Sequence, residues 1–360
     1  MEWHLRGAFD ISSKLSDMFP LAQGVSFFYV LSGFILSYNY CQFSNRMEIK
    51  NFLIARIARI YPVHIVTMII WFLFLGNLND ISVYGKQILS QIMLVHSWIP
   101  LREFNSSLNA VSWSISCEWM FYLLFPVLIM KFKKYGCNII FISFLIVILF
   151  CFSSNILNIS TVDAEMEIVN TFSYIYTNPL VRIFEFIVGI GAYFVYNHLK
   201  QYVVELSDIN FTCVEVFLII LSFIIMACGG LLYEYERTTE VFGNGFANWL
   251  RYSSNVATFF MIVIVFAFSR GLISKILSWS VFEFLGKASF CLYMIHFTPS
   301  YLLKLHYTEM QLLFPHGLHI IFVIAMLLYA CFMYKFVETP MRNIIRKRFI
   351  NINSEFYQSN

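Results

Sequence analysis

The groups in this chain that could do chemistry are two histidines, a carboxylate inside an apolar run and two arginines one helical turn apart. His4 stands in a polar N-terminal stretch. Imidazole titrates near neutrality and is the usual base for activating a hydroxyl, though a lone histidine in a polar tail is also an ordinary surface residue. Glu118 lies in VSWSISCEWMFYLLFP (111–126). A carboxylate there could orient a hydroxyl, pair with a cation, or tie helices together, and keeping it in an apolar span is expensive. Ser114 and Glu118 are four apart and share a helix face. Trp113 and Trp119 suit interfacial depth, and Pro126 is expected to kink the helix and free carbonyls toward a cavity. Arg56 and Arg59 offer forks that fit phosphate bidentately. Membrane-edge anchoring or contact with anionic lipid is the plainer reading of an isolated RxxR. Arg182 and Glu185 are three apart on one turn, where an intrahelical ion pair is the bland account. Gly189 and Gly191 just beyond them permit close helix packing. His296, in FLGKASFCLYMIHFTP, reads as a hydrogen-bonded core or cavity residue, and Arg251 and Lys287 as side chains snorkelling near span ends.

The elements that must position these groups are membrane helices. The chain is 59% hydrophobic and 12% charged, with 40 Phe, 21 Tyr and 7 Trp. Soluble domains run nearer a quarter charged, so a large soluble domain is excluded. The fold class is all-α, a polytopic helical bundle. Apolar spans are expected at 24–40, 60–76, 116–131, 138–154, 179–197, 213–232, 250–269, 286–303 and 317–337. The stretch 86–99 is short and carries Lys86, Gln87, Gln91 and His96. If it does not cross, the loops on one side hold fifteen Lys and Arg against six on the other, and crossing would abolish that bias. It is therefore expected to be an interfacial or re-entrant helix. Residues 1–23 then lie outside, with the 41–59 loop and the C-terminal tail, 344–360, in the cytoplasm. A chain that starts outside without a signal peptide suggests an apolar helix missing before Met1, or translocation of a short tail.

A net charge of +3 gives no nucleic-acid signature. The eight cysteines form no CxxC pair and read as small buried hydrophobes, without a disulfide framework or metal site. No GxSxG elbow, Walker motif, HExxH or glycine-rich nucleotide fingerprint is present. No internal repeat supports an inverted-repeat transporter.

Taken in order, GVSFFYVLSGFIL, FLIARIARIYP, VSWSISCEWMFYLLFP, NPLVRIFEFIVGIGAYF, FLGKASFCLYMIHFTP and VETPMRN resemble the motifs of acyltransferase family 3, the polysaccharide and lipopolysaccharide O-acetyltransferase group. The resemblance runs from about residue 24 to residue 343. It implies a ten-helix bundle in a bacterial inner membrane, of which nine spans are legible here. It also implies transfer of an acyl group, usually acetyl, from cytoplasmic acetyl-CoA to a glycan hydroxyl at or beyond the outer face. Arg56 and Arg59 would hold CoA phosphates, and Ser32, Gly33 and Phe34 would line the acyl path. Trp113, Glu118 and Tyr122 would line the acceptor side, with Arg182, Glu185 and His296 also binding substrate. His4 would be the base, and no metal would be needed. The partners implied are acetyl-CoA, a surface or lipid-linked glycan and membrane lipids. The chain departs from the family's pattern in two places. The helix expected before His4, with its basic residue, is absent, and Ser26 stands where many relatives have Asp. Two other functions remain open on the sequence: a flippase-like transporter for a lipid-linked sugar, and an acyltransferase for a small hydroxylated metabolite or lipid.

Overall fold

The computed structural model describes residues 21–76, 83–160, 168–203, 207–239 and 241–350. His4 lies outside them, as do most of the N-terminal stretch and the last ten residues. Among the described residues the chain is helical, with a single isolated bridge between Ser160 and Asn170 as its only extended pairing. The principal helices are α1 (Gly24–Asn39), α2 (Arg46–Phe74), α3 (Gly85–Ile92), α4 (Trp113–Ile156), α5 (Pro179–Leu199), α6 (Asp208–Thr239), α7 (Asn244–Ser253), α8 (Val256–Ala267), α9 (Ser280–Ile295), α10 (Leu318–Met333) and α11 (Thr339–Phe349). Each of the nine expected apolar spans is predominantly helical, with short interruptions at 254–255 and at His296, and among the described residues six helical stretches are long and apolar enough to cross a membrane. Large apolar side chains such as Leu73, Phe141, Phe152, Phe217 and Leu328 stay exposed, as lipid-facing positions require.

Three boundaries bear on the expected spans, the first of them differing from expectation. First, α2 begins at Arg46, so most of the expected 41–59 loop is helix. Asn45 accepts from the Glu48 backbone N–H at 2.9 Å, and the Glu48 carboxylate accepts from Ser44 N–H at 2.8 Å. That reciprocal cap satisfies donors that would otherwise be orphaned. Second, α4 runs 44 residues, about 66 Å at 1.5 Å per residue, enough to cross twice if bent. Its non-helical residue is Tyr135 (φ −124°, ψ 16°), just past Lys131, Lys133 and Lys134. The break therefore falls in the lysine-rich turn expected between the spans 116–131 and 138–154, and Pro126 sits buried within the helix. Third, α3 has only eight residues, about 12 Å, too short to cross.

The irregular segment after α3 is held inside the bundle by side chains. Gln91 Nε2 donates to Ser107 O (3.0 Å), Ser112 Oγ to Gln91 Oε1 (2.8 Å), Ser116 Oγ to Leu94 O (2.7 Å) and Ser97 Oγ to Trp113 O (2.8 Å). Asn109 Nδ2 reaches Thr67 Oγ1 (3.0 Å) on α2 and Met294 O (2.8 Å) on α9. Non-helical backbone at membrane depth is tolerated only where protein supplies such partners.

The tightest crossing is between α1 and α5. A Cβ on Gly33 would collide with the Phe186 carbonyl oxygen, and one on Gly189 with the Val30 carbonyl oxygen. The two glycines let the backbones touch, and the expectation that Gly189 permits close packing is met with Gly33 as its partner. Phe34 is buried in the same seam against Tyr193 and Tyr196.

Candidate functional site

The crossing of α1 and α5 fixes a buried ionic centre. Pro179 opens α5, and the Asn178 side chain caps it by accepting from Leu180 N–H (2.9 Å). This places Arg182 and Glu185 in the helix's first two turns, each 1% exposed, with Nη1 of Arg182 2.8 Å from Oε1 of Glu185. Ser253, at the end of α7, accepts from Arg182 Nη1 (2.9 Å) and donates to Glu185 Oε1 (2.6 Å). Ser26 of α1 accepts from Arg182 Nη2 (3.2 Å) and donates to Tyr252 O (2.6 Å), with Glu185 Oε1 a second acceptor at 3.1 Å. The guanidinium is enclosed by the rings of Tyr29 (5.2 Å), Tyr176 (5.2 Å) and Trp113 (5.9 Å), a cation–π cage. Two charged-group atoms in this centre, Arg182 Nε and Glu185 Oε2, have no hydrogen-bond partner.

A second, more open cluster lies on α2 and α4. Tyr122 Oη donates to Glu118 Oε2 at 3.0 Å, one turn along α4. Arg59 and Arg56 stand within electrostatic range of Glu118 and Tyr122. Arg59 is exposed, and Arg56 is half-buried with its guanidinium 5.7 Å from both the Tyr40 and Phe52 ring centres. Arg56 Nε has no hydrogen-bond partner. The two clusters adjoin. Tyr29 and Tyr293 are each within electrostatic range of both Arg182 and Glu118. Tyr29 Oη donates to Ser114 O (3.1 Å) and Tyr293 Oη to Val111 O (3.0 Å), which pins both phenols to the start of α4. A column of polar groups thus runs through the bundle from Arg182 and Glu185, past Tyr29 and Tyr293, to Glu118, Tyr122 and Arg59.

The remaining expected site residues divide clearly. Trp113 packs on Arg182 and on Tyr176 (4.6 Å between ring centres), and so belongs to the buried ionic centre. Gly33 and Phe34 are occupied in the α1–α5 seam, while Ser32 is half-buried on α1. His296 is buried between α9 and the short helix Phe297–Leu305, and its Nδ1–H donates to Tyr293 O (2.5 Å), placing it beside the column. Of the two residues expected to snorkel, Lys287 pairs with Glu283 on an exposed face (2.6 Å), whereas Arg251 is buried over the Tyr233 ring (4.2 Å). Ser253, Tyr29, Tyr176 and Tyr293 were not singled out from sequence. Nothing but the apolar context of their polar tips distinguishes them there.

His64 and His96 form a separate pair, their rings parallel within 9° at 6.3 Å. His96 Nε2 lies 3.3 Å from Ser112 Oγ, whose proton is given to Gln91, so the imidazole donates. Burial, reinforced by neighbouring His64, pushes the His96 pKa down to about 3. Among the described residues, no group of three or more His, Cys, Asp or Glu side chains is arranged to hold a metal ion.

Residues 3–336 match the family model of an acyltransferase domain. Acyltransferase MdmB of Streptomyces mycarofaciens is 35% identical over 107 residues, which are 29% of this chain and 27% of MdmB. O-acetyltransferase OatA of Staphylococcus aureus is 25% identical over 343 residues, covering 89% of this chain and 52% of OatA. The chain therefore spans about half the length of the O-acetyltransferase it matches along most of its length. No solved structure matches.

Proposed function

This chain belongs to the acyltransferase domain family, and from that premise we propose that it is a membrane O-acyltransferase. It moves an acetyl group from acetyl-CoA to a hydroxyl of a surface polysaccharide or its lipid-linked precursor. The observation that carries this reading is the polar column. One end presents two guanidiniums with free donors, suited to the phosphates of a CoA thioester. The interior holds a carboxylate and phenols, and the far end is a caged ion pair.

The arginine end faces the cytoplasm in this reading, where acetyl-CoA is made, and the excess of Lys and Arg on that side supports it. Glu118, buttressed by Tyr122, orients the reacting groups inside the bundle. His4 is the base that removes the acceptor's proton. When that hydroxyl oxygen attacks the acetyl carbonyl, the CoA sulfur leaves and takes up a proton. Trp113, Arg182, Glu185 and His296 shape the acceptor side.

The test is transfer of labelled acetyl from acetyl-CoA to glycan in membranes carrying the protein, with mass spectrometry of the glycan. The expected result is acetyl on the glycan, lost in His4→Ala. Full glycan acetylation by His4→Ala removes the base from the reading. Glycan that is moved across the membrane but never acetylated, regardless of acetyl-CoA supply, replaces it with a transporter.

A further inference from the structure

A third guanidinium adjoins the donor end of the column, and it comes from the far end of the chain. Between α10 and α11 the helix widens into a π-turn, Tyr334–Glu338. Such wide turns carry an extra residue within the helix and recur at functional sites. Here the turn aims Glu338 inward, where it is 2% exposed. Both carboxylate oxygens are occupied. Arg342 Nη1 donates to Oε1 (3.1 Å), and the Cys291 thiol of α9 donates to Oε2 (3.2 Å). A carboxylate so engaged acts as a clamp between α9 and α11. Arg59 lies within electrostatic range of Glu338 and Cys291 as well as of Glu118. It therefore lies within reach of two carboxylates, one on α4 and one at the head of α11. Arg342 has a side chain 26% exposed and is bonded to Glu338 through Nη1, which leaves other edges of its fork for an anion.

We propose that Arg342, positioned by Glu338, is a phosphate-binding residue of the donor site, and that it reads a phosphate separate from the one held by Arg56 and Arg59. This inference rests on the acetyl-CoA reading above and deepens it. Arg56 and Arg59 are one turn apart on one helix, a spacing that suits two adjoining phosphates, as in a diphosphate. Arg342 arrives from a different helix, α11, held by the Glu338 carboxylate that Arg59 also reaches, and so suits a phosphate set apart from that pair. CoA carries both, a diphosphate and a ribose 3′-phosphate. The ligand class is thus an acyl thioester with a remote third phosphate, as opposed to a phosphopantetheine thioester that lacks one.

The experiment measures binding of acetyl-CoA and of acetyl-3′-dephospho-CoA to the full chain in nanodiscs, for wild type, Arg342→Gln, Arg342→Lys and Glu338→Gln. Charge-assisted hydrogen bonds to phosphate predict that wild type binds the dephospho compound about tenfold or more weakly. Arg342→Gln should bind acetyl-CoA as weakly as wild type binds the dephospho compound, and should no longer distinguish the two. Arg342→Lys should keep part of the discrimination, and Glu338→Gln should reduce it. The dephospho compound is an internal control, because a misfolded variant loses both ligands together. Equal binding of the two donors by wild type overturns the inference, as does undiminished discrimination in Arg342→Gln, or an equal loss of both ligands by Arg342→Gln whose thermal midpoint is unchanged. Wild type that binds neither donor instead overturns the acetyl-CoA reading itself.

Discussion

The protein uses arginine beside glutamate twice, to opposite ends. At Arg182 and Glu185 both partners are buried, the guanidinium is caged by three rings, and two serines from distant helices close the network. At Arg56, Arg59 and Glu118 the cations are half-buried or exposed, and the carboxylate's hydrogen bond is to its own helix, through Tyr122. The first arrangement leaves little freedom and ties α1, α5 and α7 together. The second leaves donors open at the edge of the bundle. Burial, more than residue type, separates the two arrangements.

The largest effect that could break this contrast is expected at the caged pair. Arg182→Ala leaves Glu185 buried without its countercharge, at a cost of about 3–5 kcal/mol. The protein should fail to accumulate, or lose its monodisperse peak in size-exclusion chromatography. Normal accumulation and an unchanged thermal midpoint would show that the cage is not structural. Next comes the seam beneath it. Gly33→Ala or Gly189→Ala drives a methyl group into a carbonyl of the opposing helix, an overpacking worth about 1–3 kcal/mol. A lower thermal midpoint for either variant checks this. Gly286→Ala, with open space around its Cβ position, serves as the neutral control.

A smaller effect is expected from His96. Its folded pKa lies well below the ordinary imidazole value near 6.5, so the unfolded chain binds the proton more tightly. Stability is then fully present above about pH 6.5 and is lost as pH falls toward 3. At pH 5.5 the loss is about 1 kcal/mol. Thermal melts of wild type against His96→Gln across pH 7.5 to 5 should show a steeper acid decline in wild type. Parallel declines would mean that this imidazole is not held neutral by burial. Smallest of all on stability is the open pair. Arg56→Gln and Arg59→Gln should shift the melt by no more than about 0.5 kcal/mol, the range of ordinary surface substitutions.

Much of the bundle was legible because apolar runs carry their own signal. All nine expected spans are predominantly helical, and the bias of Lys and Arg correctly kept 86–99 from being read as a crossing. The start of α2 was missed although its signal is local. Asn45 followed three residues later by Glu48 is a capping pattern, but the polar residues after it hid the helix. Pro126 lies within continuous helix, and the break between the two spans comes later. The turn fell at Tyr135 after a cluster of lysines. The caged centre was half legible. The spacing of Arg182 and Glu185 announced an ion pair, while Ser26 and Ser253 are ordinary residue types whose meeting depends on three helices converging. Glu338 and Arg342 could be read as an i,i+4 pair, but the π-turn that aims Glu338 at Arg59's surroundings has no sequence signature.

The most direct test of the contrast is binding of acetyl-CoA to the Arg56→Gln/Arg59→Gln protein in nanodiscs, measured alongside its thermal midpoint. An open donor site predicts affinity lowered about tenfold or more with the midpoint unchanged. Undiminished affinity, or a loss of affinity that merely follows a collapsed midpoint, would contradict it.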